Sequence, residues 1–239
     1  MSMRICLGLM LALGAMNLTG CAWLVAQREP PPEPIVVESV VVEPERTVEP
    51  RVPIQAKILP HAILVLDLED VDAELDLYRQ ALLDADRPAL APDDLGYFMD
   101  VLQARLLQRL GGTGVDFRRE DDRVWLRLPA GSSFDSGSVR LDGEMRAALD
   151  LVGKAIAGFD QVLLSVHGHT DATGPLEVNR RISEQRALAV ARYLVDEHHV
   201  AASVAIVGHG PLNPVASNDT PEERARNRRV ELRIDPLVR

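Results

Sequence analysis

From about residue 113 onward the chain reads as an α+β domain. Its elements run in the order β-α-β-α-β-β, with helices packed on one face of a mixed sheet. Three observations carry this expectation. Apolar residues recur at helical spacing in two long stretches, 141–156 and 176–198, and at alternating spacing in short runs between them. The connections are rich in Gly, Pro, Asn and Ser. Of the 239 residues, 46% are hydrophobic but only 4% are aromatic, enough for one core built mainly from aliphatic side chains.

The chain begins with an export signature. Arg4 is the only charge in the first twenty residues, and the apolar run ICLGLMLALGAM is too short to span a bilayer permanently, so residues 1–20 are expected to be a signal peptide. The run ends in LTGC, which resembles the lipobox of bacterial lipoproteins. That resemblance implies cleavage before Cys21 and acylation of the cysteine, an anchor made stable by several acyl chains. Cys6 lies in the removed segment, which leaves Cys21 as the only mature cysteine and no disulfide within one chain. Ala22 follows the cysteine where an aspartate would signal inner-membrane retention in enteric bacteria, so the expected location is the outer membrane, facing the periplasm.

Residues 21–60 are expected to be a linker. Eight of the 16 prolines lie there, with Glu and Val filling much of the remainder. Such a composition favours extended chain, and at ~3.1 Å per residue it reaches on the order of 100 Å. Residues 61–112 read as a helical segment. Leu68, Val71, Leu75, Tyr78 and Leu82 form one stripe beside an acidic face. A second helix over 93–110 places Phe98, Val101, Leu102, Leu106 and Leu110 together and stops at Gly111-Gly112.

Residues 113–239 hold the domain. VDFRREDDRVWLRL reads as two strands around a turn at 120–122. A helix with Leu141, Met145, Leu149, Val152 and Ile156 on one stripe follows. QVLLSVHG is a strand, with Val162, Leu164 and Val166 inward. A helix starts behind Gly174-Pro175 and runs to about His198, and SVAIVGHG is the next core strand. After an irregular stretch with a short helical turn, RRVELRI alternates cleanly and is expected to be a half-exposed strand.

The formal charge of −10 argues against non-specific nucleic-acid binding and against an anionic membrane surface. No nucleophile stands with a base, and no carboxylate pair is placed for wall hydrolysis, so no enzyme and no cofactor are expected. The stretch VHGHTDATG offers the one metal-like pattern. His167, His169 and Asp171 alternate, and on a regular strand all three would face one side. A zinc-dependent hydrolase is the reading this would support, but a zinc site needs three or four ligands with supporting groups, and the position after Asp171 is Ala172. The alternative is recognition. Asn179 and Arg186 are seven residues apart, about 20° apart around a helix. Asp171 ends the preceding strand near that helix, so an acid and an arginine can face one groove. They would then suit a ligand carrying an ammonium and a carboxylate, or they would pair with each other or with local backbone.

GHTDATGPLEVNRRISEQRALAVARYLV, followed by IVGHGPLNPVASNDTPEERARNRRVEL, resembles the OmpA-like C-terminal domain, the peptidoglycan-binding family that includes peptidoglycan-associated lipoproteins. Four motif blocks appear in order over about residues 123–235, with Ile182 in place of the usual leucine. The stretch just upstream is similar to the segment preceding this domain in small outer-membrane lipoproteins. The resemblance implies non-covalent binding of the peptidoglycan stem peptide through diaminopimelate. By position, Asp171 would hold the ligand ammonium and Arg186 its carboxylate. Asn179 and Ile182 would line the groove, Arg228 would lie near it, and Phe134 and Asp135 would open its other side. His169 would orient the loop, Arg229 would pair structurally, and His167 and His209 would be framework residues. The whole then reads as an outer-membrane lipoprotein tethering membrane to wall through the lipid on Cys21. Alternatively, it is a wall-docking subunit of a larger efflux or secretion assembly, with an envelope partner at residues 61–110.

Overall fold

The structure, a computed structural model, describes residues 63–66, 68, 70–128, 139–200 and 203–239. The expectations for the signal peptide, Cys21, the linker, Phe134 and Asp135 lie outside these residues. In chain order the elements are β1 (Ile63–Val65), α1 (Val71–Asp84), a 3-10 turn (Pro92–Asp94), α2 (Leu95–Leu110), β2 (Asp116–Glu120), β3 (Arg123–Arg127) and α3 (Gly143–Ile156). They continue with β4 (Val162–His169), α4 (Leu176–His198), β5 (Ser203–Gly210), α5 (Pro221–Asn227) and β6 (Val230–Pro236).

The strands form one six-stranded mixed sheet in the order β1-β5-β4-β6-β3-β2. β4 and β1 both run parallel to β5, and the remaining pairs are antiparallel. The β2–β3 hairpin turns through Asp121 and Asp122. Asp121 adopts a positive φ of 51°, which its short polar side chain tolerates.

The main core lies on one face. Alternate residues Val124, Leu126, Leu164, Val166, Val204, Ile206, Leu232 and Ile234 meet the apolar stripes of α2, α3 and α4. Every residue of β4 is buried, because it lies between two strands with material on both faces. α4 lies almost directly on the sheet. A Cβ on Gly168 would come within 2.1 Å of the Ser183 carbonyl oxygen, so only glycine permits this approach. The Ser183 hydroxyl donates to the Arg180 carbonyl at 2.7 Å and accepts from the Gly210 N–H at 2.8 Å, fastening the helix to β5.

Two features differ from the expectation. The helices on 63–112 do not simply precede the domain. β1 extends the sheet edge, α2 joins the main core, and α1 covers part of the opposite face, where Leu64, Leu66, Leu75, Tyr78 and Leu82 bury Leu163, Ala205 and Val207. The second correction concerns β6, expected to be half exposed. It is central and buried along its whole length. Its charged residues are paired: Glu231 accepts from Arg127 and Arg229, while Arg233 bridges Asp235 and Asp72 of α1. Alternation marks the two faces of a strand, but it does not reveal that the polar face is covered as well.

Candidate functional site

The connection after β4, the first half of α4 and the helix α5 converge on one cavity of about 440 Å³. It is lined by Thr170, Asp171, Thr173, Val178, Asn179, Ile182, Arg186, Arg224 and Arg228. All five expected site residues that lie among the described ones are therefore brought together: Asp171, Asn179, Ile182, Arg186 and Arg228.

Each is held for a local reason. Asp171 stands just past β4, where Thr170 N–H still bonds to the Gly210 carbonyl at 2.8 Å. Its Oδ1 accepts from the Thr173 N–H at 2.9 Å and its Oδ2 from Arg228 Nη1 at 2.8 Å. Burial alone would raise the Asp171 pKa, but the Arg228 and Thr173 hydrogen bonds outweigh it, and the carboxyl stays below its ordinary value. Asp171 thus caps local backbone, one of the alternatives the sequence left open, and also forms an ion pair with Arg228, which the sequence did not suggest. Asn179 is buried and donates from Nδ2 to the Thr173 carbonyl at 3.0 Å, which closes the loop onto α4. Arg186 is only 2% exposed. Burial lowers its pKa, Arg228 lowers it further, and Asp171 opposes both.

α5 supplies the third wall. It begins with Pro221 and a full capping box in which the Thr220 hydroxyl and the Glu223 carboxylate each satisfy a backbone N–H. Asn227 ends the helix fully buried. Its Oδ1 accepts from Val215 and Ala216 N–H at 2.9 and 3.0 Å, and its Nδ2 donates to the Ala216 carbonyl at 2.9 Å. This pins the loop 211–220 and sets where Arg224 and Arg228 project. Arg224 donates from Nη1 to the carbonyls of Asn218 and Asp219 at 2.8 and 3.0 Å. Sequence reasoning did not single out Thr170, Thr173, Val178, Arg224 or Asn227. Arg224 and Asn227 stand inside the quoted final block, so block position was the only signal available.

The two histidines of HGHTD lie elsewhere. Strand alternation, with a register shift between Gly168 and His169, turns His167 and His169 to the opposite face. There they line a second cavity of about 420 Å³ with Trp125, His209, Arg229 and Glu231. Asp171 lines the first cavity, so the three residues do not converge on one point. His167 Nδ1 and His209 Nε2 share a hydrogen bond at 2.9 Å, and His169 stacks on His209 with ring centroids 4.6 Å apart. His169 lies 3.5 Å from the Leu212 carbonyl, too long for a strong orienting bond. Burial and the Arg229 charge hold its pKa at about 2 and that of His209 at about 4.

Residues 133–228 match the model of the OmpA family. The chain is 39% identical over 143 residues to an Escherichia coli protein named probable lipoprotein YiaD, covering 60% of this chain and 65% of that one. It is 38% identical over 112 residues to the peptidoglycan-associated lipoprotein of Pseudomonas aeruginosa, covering 47% and 66%. Outer membrane protein A of Bordetella avium is 40% identical over 105 residues, covering 44% and 54%. The chain thus spans between about half and just under two thirds of these relatives. A MotB-like protein of Desulfovibrio vulgaris shares the fold, with a TM-score of 0.51 at 21% identity over 66% of this chain and 98% of that one. Residues 133–228 are thus similar to the OmpA family, the resemblance that the four motif blocks carry.

Proposed function

We propose that this chain is an outer-membrane lipoprotein that binds peptidoglycan non-covalently, through the diaminopimelate of the stem peptide, and so tethers membrane to wall. The observation that carries the reading is the single cavity that gathers Asp171, Asn179, Ile182, Arg186 and Arg228 from three separate elements. A diaminopimelate side chain ends in an ammonium and a carboxylate on one carbon. Asp171 receives the ammonium and Arg186 the carboxylate, while Asn179 holds the loop and Ile182 meets the methylenes. Arg228 gives up part of its bond to Asp171 as the ammonium arrives, which offsets part of the gain.

Charge-assisted bonds of this kind contribute roughly 1.5–3 kcal/mol each, so one contact is modest. Many copies acting on one continuous wall make the attachment firm. Phe134 and Asp135 are proposed to complete the far side of the groove. Acylation at Cys21 supplies the membrane end, in keeping with the two relatives named lipoproteins.

The test is co-sedimentation of the chain from residue 22 onward with purified peptidoglycan sacculi. Asp171→Ala and Arg186→Ala are run beside it, with circular dichroism to check that each variant folds. Wild type is expected in the pellet and both variants in the supernatant. A wild type that stays in solution, or folded variants that pellet equally well, would overturn the proposal.

A further inference from the structure

The cavity holds a guanidinium, Arg224, that the amino-carboxylate head group described above does not use. Among the described lining residues there are three guanidinium groups, Arg186, Arg224 and Arg228, and one carboxylate, Asp171. Arg228 is matched by Asp171 at 2.8 Å. Arg224 is held differently. Its two hydrogen bonds go to the neutral carbonyls of Asn218 and Asp219, and among the described residues no carboxylate pairs with it. Its neighbour Arg226 faces Glu223 instead, at 3.9 Å. The Nε and Nη2 groups of Arg224 have no hydrogen-bond partner among the described residues. The guanidinium is therefore oriented by backbone without being neutralised, the condition in which a fork of N–H donors binds an incoming carboxylate with little ordering cost.

A head group held by Asp171 and Arg186 leaves Arg224 without an anionic partner; a second carboxylate supplies one. Arg228 caps α5 one helical turn after Arg224, its N–H bonded to the Arg224 carbonyl at 3.1 Å, and it pairs with Asp171, so the Arg224 backbone lies about 6 Å from that of the residue that marks the ammonium end of the site. A peptide whose ammonium reaches Asp171 therefore brings a neighbouring carboxyl group within reach of Arg224. Resting on the wall-binding reading above, we infer that Arg224 recognises a second carboxylate of the stem peptide. The cavity then selects stems whose carboxyl groups beside the diaminopimelate side-chain centre are free and discriminates against stems in which they are amidated.

The experiment is isothermal titration of the full-length chain in detergent with two synthetic peptides. One is L-alanyl-D-isoglutamyl-meso-diaminopimelate with every carboxylate free. The other keeps the carboxylate of the diaminopimelate side-chain centre and is amidated at the rest. Wild type is expected to bind the free acid about tenfold more tightly, the discrimination one charge-assisted contact provides. In Arg224→Gln, checked for folding by circular dichroism, that ratio is expected to fall to about one. A wild-type ratio near one overturns the inference and leaves wall binding intact, and this comparison needs no variant. A ratio that survives in Arg224→Gln also overturns it, because the second carboxylate is then read elsewhere. If wild type binds neither peptide, the wall-binding reading itself fails and takes the inference with it.

Discussion

Acid is expected to destabilise this domain well above the pH at which carboxylates titrate, and the cause is the histidine cluster behind the sheet. His169 and His209 are buried against each other and against His167, with Trp125, Arg127, Arg229, Arg233, Glu231 and Asp72 around them. Their folded pKa values are depressed to about 2 and about 4, chiefly by burial and then by the Arg229 charge, against 6.5 for a free imidazole. His167 shifts in the same direction. A depressed histidine pKa means that the unfolded chain binds more protons than the folded one. Its stabilising effect is therefore complete above pH 6.5 and is lost as pH falls through 6.5, down to about 4 for His209 and lower for His169. At pH 5.5 each imidazole held neutral costs about 1.4 kcal/mol relative to neutral pH, so these two together cost about 3 kcal/mol. That is a large share of an ordinary domain stability of about 5–15 kcal/mol. Asp150, Asp171 and Glu231, whose pKa values are lowered, add their losses only at lower pH. Urea denaturation followed by circular dichroism at pH 7.5 and 5.5 measures the difference. His169→Gln should recover about 1.4 kcal/mol of the loss. Equal stability at the two pH values, within about 1 kcal/mol, would show that the cluster is solvated or already charged in the folded protein.

Two further outcomes follow from packing. Gly168→Ala places a methyl group where the Ser183 backbone stands and forces α4 off the sheet beside the cavity. It should cost about 1–3 kcal/mol, read as a lower melting temperature, and a wild-type melting temperature would contradict the packing described. A chain starting at residue 93 loses β1 and α1 and uncovers Leu163, Ala205 and Val207, so it should melt earlier and aggregate by light scattering where a chain starting at residue 61 does not. Equal behaviour of the two would mean that α1 is dispensable to the core.

The legible part of this protein is what local periodicity encodes. The stripes on 141–156 and 176–198 became α3 and α4, and the alternating runs became β3, β4 and β5, because a helix or strand with one apolar face has few ways to bury it. The meeting of Asp171, Asn179 and Arg186 was legible for the same reason, since a strand end and the next helix are joined by a short connection. Other features depended on which distant segments became neighbours. β6 alternates like a surface strand, yet it lies between β4 and β3, and only there do its charges find Arg127 and Asp72. The pairing of Asp171 with Arg228 closes a separation of 57 residues, which no spacing rule reports. Arg224 reaches the cavity only because Asn227 pins the loop in front of it. The sequence by itself determined most of the elements and the resemblance to the OmpA family. Tertiary structure decided which charges meet, because an ion pair depends on distances between segments that local pattern does not carry.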